Sequence, residues 1–150
     1  MLVAVLSGFL LALLLVFFGK YLKSRHFSFI GLLPLGIFTY LFSFLPSVNS
    51  GQPETFHYSW APSMGINLDF TLDGLALLFG LMITGIGSLV FFYGAYYMKR
   101  HPFINRFFVF LLVFMASMLG LVLADNVLLL FVFWELTSIS SLFLIGFNHE

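Results

Sequence analysis

A chain of 150 residues that is 61% hydrophobic and 8% charged is too apolar for a soluble domain, in which about a quarter of the residues carry charge. Six basic and six acidic residues balance to zero net charge without a basic run, which excludes a nucleic-acid surface and a polybasic lipid anchor. The absence of cysteine excludes disulfides, thiolate nucleophiles and thiolate-held clusters within this chain, and no cofactor is expected.

Apolar stretches at 2–18, 27–45, 72–97, 107–124 and 127–147 show no strand alternation and approach the roughly 20 residues that cross a bilayer. The expected fold is therefore all-α, a polytopic transmembrane bundle of about five helices in a single membrane domain, 1–150. The first stretch, from Leu2, reads as a retained span rather than a secretory signal. Its positive charges, Lys20, Lys23 and Arg25, follow the apolar run instead of preceding it.

After the second stretch, the connection from Pro46 to Thr71 holds Glu54 and Asp69 but no Lys or Arg, and its Pro, Ser, Asn and Gly content predicts a loop with turns. The third stretch carries Gly80, Thr84, Gly85, Gly87 and Ser88, small residues that let helices approach closely, and ends in Tyr93, Tyr96 and Tyr97, an interfacial belt. The remaining basic residues, Lys99, Arg100 and Arg106, follow it. Confining Lys and Arg to two short connections puts both on the cytoplasmic side, with the N-terminus outside and the C-terminus inside. Asp69, Asp73 and Asp125 then sit at outer helix ends, where capping or solvation is the expected role. The alternative is that Asp73 or Asp125 gathers cations or protons at an outer entrance.

The fifth stretch contains Glu135 near its middle. A carboxylate at that depth costs about 2.5–3.5 kcal/mol, so it requires a cation, a polar cavity or a proton. Desolvation favours the neutral acid and a nearby cation favours the carboxylate, the two states a proton relay needs. Every basic residue lies in a connection, so no cation of this chain is expected at that depth. Thr137, Ser138, Ser140 and Ser141 follow, with Ser138 about 60° around the helix from Glu135. These hydroxyls either hold ordered water beside the carboxyl or bond the carbonyl one turn back. The histidines, His26, His57, His101 and His149, all fall in connections or at the chain end without metal-ligand spacing, so no metal site is expected. No phosphate-cradling glycine loop or nucleophile–base set is present.

From Leu123 to Glu150 the sequence reads LADNVLLLFVFWELTSISSLFLIGFNHE. This closely resembles the A-subunit of Mrp-type cation/proton antiporters. The Asp-Asn turn, apolar run, Trp-Glu and later Leu-Ile-Gly are shared with the proton-pumping subunits of complex I, while Trp134 to Ser141 follows the antiporter wording. The resemblance extends back through LDGLALLFGLMITGIGSLVFFYGAYYM and Arg106 to Leu121, covering most of 68–150. It implies a place in the first of a pair of inverted five-helix repeats, with Glu135 as proton carrier working with a lysine two helices later. It also implies the plasma membrane of a prokaryote, other Mrp subunits and lipid as partners, and protons and Na+ as transported ions. Because members of the family are far longer, the chain reads as their N-terminal part. A proton-translocating subunit of a complex I or membrane hydrogenase complex is the second reading, and an assembly element in which Glu135 only fastens helices is the third.

Overall fold

In hydrocarbon the backbone must satisfy its hydrogen bonds within the segment, and long apolar runs do so as helices. The computed structural model describes residues 1–21, 26–61 and 66–146; the charges of Lys23 and Arg25, His149 and the last residue of the predicted fifth span lie outside them. Helix α1 is Leu2–Phe18, followed by a single tight turn over Gly19–Tyr21. The second apolar stretch is helical in three pieces: α2 Phe27–Ile30, α3 Leu32–Phe42 and α4 Leu45–Asn49. Pro34 and Pro46 lack the N–H groups that would bond the carbonyls of Ile30 and Phe42, and the pieces end at those two residues. Then come α5 Gly74–Tyr97, α6 Ile104–Leu123 and α7 Val127–Ile145.

Phe27–Asn49, α5, α6 and α7 are each long and apolar enough to cross a membrane, whereas α1, at 17 residues, stands at the short end of the spanning range. The connection read as a loop with turns instead contains an antiparallel hairpin, β1 Glu54–Ala61 and β2 Ile66–Leu72, paired from Glu54 opposite Leu72 to Ala61 opposite Ile66. Its signal is period-two alternation: Phe56 and Tyr58 against Thr55, His57 and Ser59, then Leu68, Phe70 and Leu72 against Asn67, Asp69 and Thr71.

Helix α6 is the centre of the bundle. Half of it is buried within the chain, against 17% of α7, and it packs on α1, α5 and α7. Its buried Phe108, Leu112, Met115, Leu119 and Leu123 follow three- and four-residue spacing, and α1 answers with Val5, Gly8, Ala12 and Leu15. Lipid is as apolar as leucine, so close packing rather than the hydrophobic effect joins these helices. A methyl group on Gly8 would stand 2.7 Å from that of Ala116, and one on Gly80 would meet Leu41 at 3.0 Å. The hydroxyls of the third stretch turn inward on their own helix: Thr84 donates to the Gly80 carbonyl at 2.7 Å and Ser88 to that of Gly85 at 2.7 Å. Tyr93, Tyr96 and Tyr97 are exposed at the end of α5.

The two ends of the bundle differ in chemistry. Asn105, at the start of α6, donates from its amide to the Leu15 carbonyl of α1 at 3.0 Å, so the connections that follow α1 and α5 share one end. At the other end the hairpin sits on the α6–α7 turn. The Asp125 N–H bonds the Asp69 carbonyl at 2.9 Å, the Asn126 amide donates to the Asn67 carbonyl at 3.0 Å, and Phe70 pairs with Ala124.

Candidate functional site

Helix α7 begins where Asn126, with extended backbone, accepts the Leu129 N–H on its side-chain oxygen at 2.7 Å. That bond satisfies one of the four free N–H groups of the first turn. The buried residues of α7, Leu129, Phe133 and Ser140, recur at four- and seven-residue spacing and form the face turned toward the bundle. Phe133 lies against Gly120 of α6, where an added methyl would come within 2.5 Å of its ring. It also lies 6.4 Å, centroid to centroid, from both Phe9 and Phe70.

Glu135 is two residues past Phe133, about 200° around the helix, and therefore points away from α6. It is exposed at the surface of this chain, as are Leu128, Phe131, Ile139 and Leu142 on the same side. It is the ninth of the 19 residues of α7, so the carboxyl stands at the middle of an otherwise apolar face that no other described helix of the chain covers. Among the described residues it is in no salt bridge.

Three of the four hydroxyls that follow Glu135 bond backwards. Thr137 donates to the Phe133 carbonyl at 2.8 Å, Ser138 to that of Trp134 at 3.2 Å, and Ser140 to that of Leu136 at 2.7 Å. Of the two roles open to them from sequence, these bonds are the carbonyl-bonding one. They use the hydroxyl hydrogens and leave lone pairs on each oxygen free to accept. Thr137, Ser138 and Ser141 also line a groove of about 290 Å³ with Trp134 of α7 and Phe114 and Leu121 of α6. Glu135 lies beside that groove and does not line it.

Asp73 is the N-cap of α5, accepting the Ala76 N–H at 2.7 Å. Asp125 is exposed and its side chain caps nothing, because the adjacent Asn126 takes that position in α7. Asp69 belongs to β2, not to a helix end, and its carboxylate meets the His57 imidazole across the hairpin at 2.9 Å. The structure thus leaves Asp73 and Asp125 at the hairpin end of the bundle, apart from Glu135 in mid-helix. Sequence reading missed the roles of Asn105, Asn126 and His57. An Asn before an apolar run is a legible cap, whereas the His57–Asp69 pair needs the strand register.

A family model described as NADH-Ubiquinone oxidoreductase (complex I), chain 5 N-terminus, matches residues 60–108. The Na(+)/H(+) antiporter A-subunit of Alkalihalophilus pseudofirmus is 46% identical over 146 residues, covering 96% of this chain and 18% of the relative. The corresponding A1-subunit of Staphylococcus haemolyticus is 40% identical over 149 residues, 99% of this chain and 19% of the relative. A chain in the structure of the Mrp complex from Dietzia sp. DQ12-45-1b superposes with a TM-score of 0.82 at 30% identity, over 97% of this chain and 16% of that one. A chain of the membrane-bound sulfane sulfur reductase, an archaeal respiratory membrane complex, shares the fold, with a TM-score of 0.76 at 23% identity over 99% of this chain and 30% of that one. This chain spans about a fifth of the length of the curated relatives. Over nearly all of its residues, the chain is similar to one segment of the longer Na+/H+ antiporter A-subunits.

Proposed function

We propose that this chain is a segment of the A-subunit in a multisubunit Na+/H+ antiporter of a prokaryotic plasma membrane, and that Glu135 carries protons in it. The observation that supports this reading most is a lone carboxyl at mid-helix on the uncovered face of α7. Its cost in hydrocarbon demands a neighbour from outside the five helical stretches described above. When that neighbour is a cation the carboxylate is favoured, and when it withdraws the neutral acid is favoured. Glu135 therefore takes up and gives up a proton as cationic charge moves beside it, with protons passing inward and Na+ outward. Other antiporter subunits and lipid cover the remaining apolar surface. The clustering of Lys99, Arg100 and Arg106 at the end where α1 also finishes supports a cytoplasmic position for that end and an external one for the hairpin. Asp73, as a helix cap, and the exposed Asp125 play no part in the proton path, and Thr137, Ser138 and Ser141 offer acceptor oxygens beside it.

The test is Glu135→Gln in the complete complex, assayed as sodium-dependent proton exchange in everted vesicles. Loss of a general acid–base group lowers a rate by about a hundredfold or more, so exchange should disappear while the subunits still co-purify. Unchanged exchange sinks the proposal. Loss of assembly together with exchange makes Glu135 a structural fastening.

A second reading, a proton-translocating subunit of a redox complex, is favoured by the complex I description of the family matched at residues 60–108. Its mark would be co-purification with a flavin or iron–sulfur subunit. The 46% identity to an antiporter subunit favours the first reading, that of a transporter rather than an enzyme.

A further inference from the structure

We propose that the β1–β2 hairpin is a pH-sensitive strap on the α6–α7 turn, held closed by the His57–Asp69 pair. The two residues are directly opposed in the strand register, and the His57 Nδ1 stands 2.9 Å from an Asp69 carboxylate oxygen. The pair is lopsided: the imidazole side chain is 69% exposed and open to the solvent's protons, while the carboxylate is only 20% exposed. A carboxylate so covered gains more from a charged partner than one in open water does.

The same residue, Asp69, holds α7. Its backbone carbonyl accepts the Asp125 N–H, and the neighbouring Phe70 is buried with its ring toward Phe133. Two residues from Asp69, Asn67 accepts from the amide of Asn126, which caps α7. Fixing Asp69 in the sheet therefore fixes the start of α7, and opening the hairpin frees it.

The charged side chains around His57 are acidic. Glu54 lies on β1 but at the alternate register, facing the other side of the hairpin. Asp125 comes from the α6–α7 turn and Asp73 from the start of α5, where its carboxylate is bound to the Ala76 N–H. All three are acidic, no Lys or Arg occurs between Arg25 and Lys99 or after Arg106, and a further titratable cation at this end is the Met1 amino group at the start of α1, whose pKa burial lowers; it is common to wild type and every His57 variant. Among these side chains, imidazole alone changes charge in the physiological range. With the imidazole protonated the contact is a charge-assisted hydrogen bond; with it neutral, an ordinary one. The strap is tighter in acid and looser in alkali. That it thereby acts on Glu135 rests on the function proposed above; that the strap tightens does not.

The experiment is hydrogen–deuterium exchange of the peptide spanning the α6–α7 turn, in the detergent-solubilised complex at pH 6 and pH 8.5, where both ends meet one pH. Comparing wild type with His57→Gln in the same buffer cancels the intrinsic pH dependence of amide exchange, and Gln keeps a neutral hydrogen-bond donor. Wild type should exchange about two- to fivefold more slowly than the variant at pH 6, the range of an exposed ion pair. At pH 8.5 the two should match. His57→Lys, charged at both values, should keep the protection at pH 8.5. A wild-type-to-Gln ratio that is the same at both pH values, or Lys behaving as Gln, overturns the strap. Amide exchange involves no transport, so failure of the antiporter reading would leave this result untouched.

Discussion

Gly120→Ala should loosen α7 from α6 although alanine is the better helix former. In an exposed helix the change would stabilise by about 0.5–1 kcal/mol. At position 120, however, the new methyl would stand 2.5 Å from two atoms of the Phe133 ring and 2.6 Å from a third. Those distances are well inside the roughly 3.5–4.0 Å of favourable carbon contact. The ring is 7% exposed and held between Phe9 and Phe70, so α7 must yield instead. Overpacking of this kind costs about 1–3 kcal/mol, leaving a net loss of up to about 2.5 kcal/mol, a factor of at most roughly 70 in the folded ratio. Gly36→Ala is the control, because a methyl there meets nothing within 4 Å. The assay is thermal unfolding of the purified complex. Gly120→Ala should lower the midpoint and Gly36→Ala should not, while Phe133→Leu combined with Gly120→Ala should recover part of the loss by making room. If Gly120→Ala proves as harmless as Gly36→Ala, the proposed α6–α7 approach is wrong.

Two further expectations concern helix ends. Asp73→Ala and Asn126→Ala each remove an N-cap bond, to Ala76 and Leu129, and should cost about 1 kcal/mol by the same unfolding assay. Asn126→Ala should cost more, because it also cuts the link to Asn67, and Asp73→Ala should leave the sodium dependence of exchange unaltered, as a cap rather than an ion entrance would. Asn105→Leu removes the donor to the Leu15 carbonyl and should cost about 1–2 kcal/mol, detected as easier proteolysis in the connection after α1.

The positions of the helices were legible because hydrocarbon permits little else. Runs such as Leu75 to Tyr97 have no alternation that a strand could use and are long enough to cross. The break-up of the second stretch was also written in the sequence, at Pro34 and Pro46, but hydropathy averages across such breaks. The hairpin was obscured for a different reason. Proline, serine and glycine around residues 46–65 signal turns, and they outweighed the weaker two-residue alternation of Phe56, Tyr58, Leu68 and Phe70. At the candidate site, Glu135 stood out by its chemistry, one acid in an apolar run. Which way it points did not: that depends on Phe133 taking the inward position against Gly120, and a helix as uniformly apolar as α7 gives no pattern from which its buried face could be read.

The orientation of α7 follows from where close packing is available. At Gly120, which has no side chain, α6 leaves space that the flat Phe133 ring occupies. Phe133 takes that place, so rotation by two residues carries Glu135 to the far side, where the described residues supply no salt-bridge partner. Inside the bundle the carboxyl would need a permanent partner, and a permanent ion pair fixes one charge state. On the outer face it can meet a partner that comes and goes, the physical condition for a group that loads and unloads protons. The residue that packs and the residue proposed to work are thus separated by half a turn of one helix, and the packing of Phe133 sets the direction of Glu135.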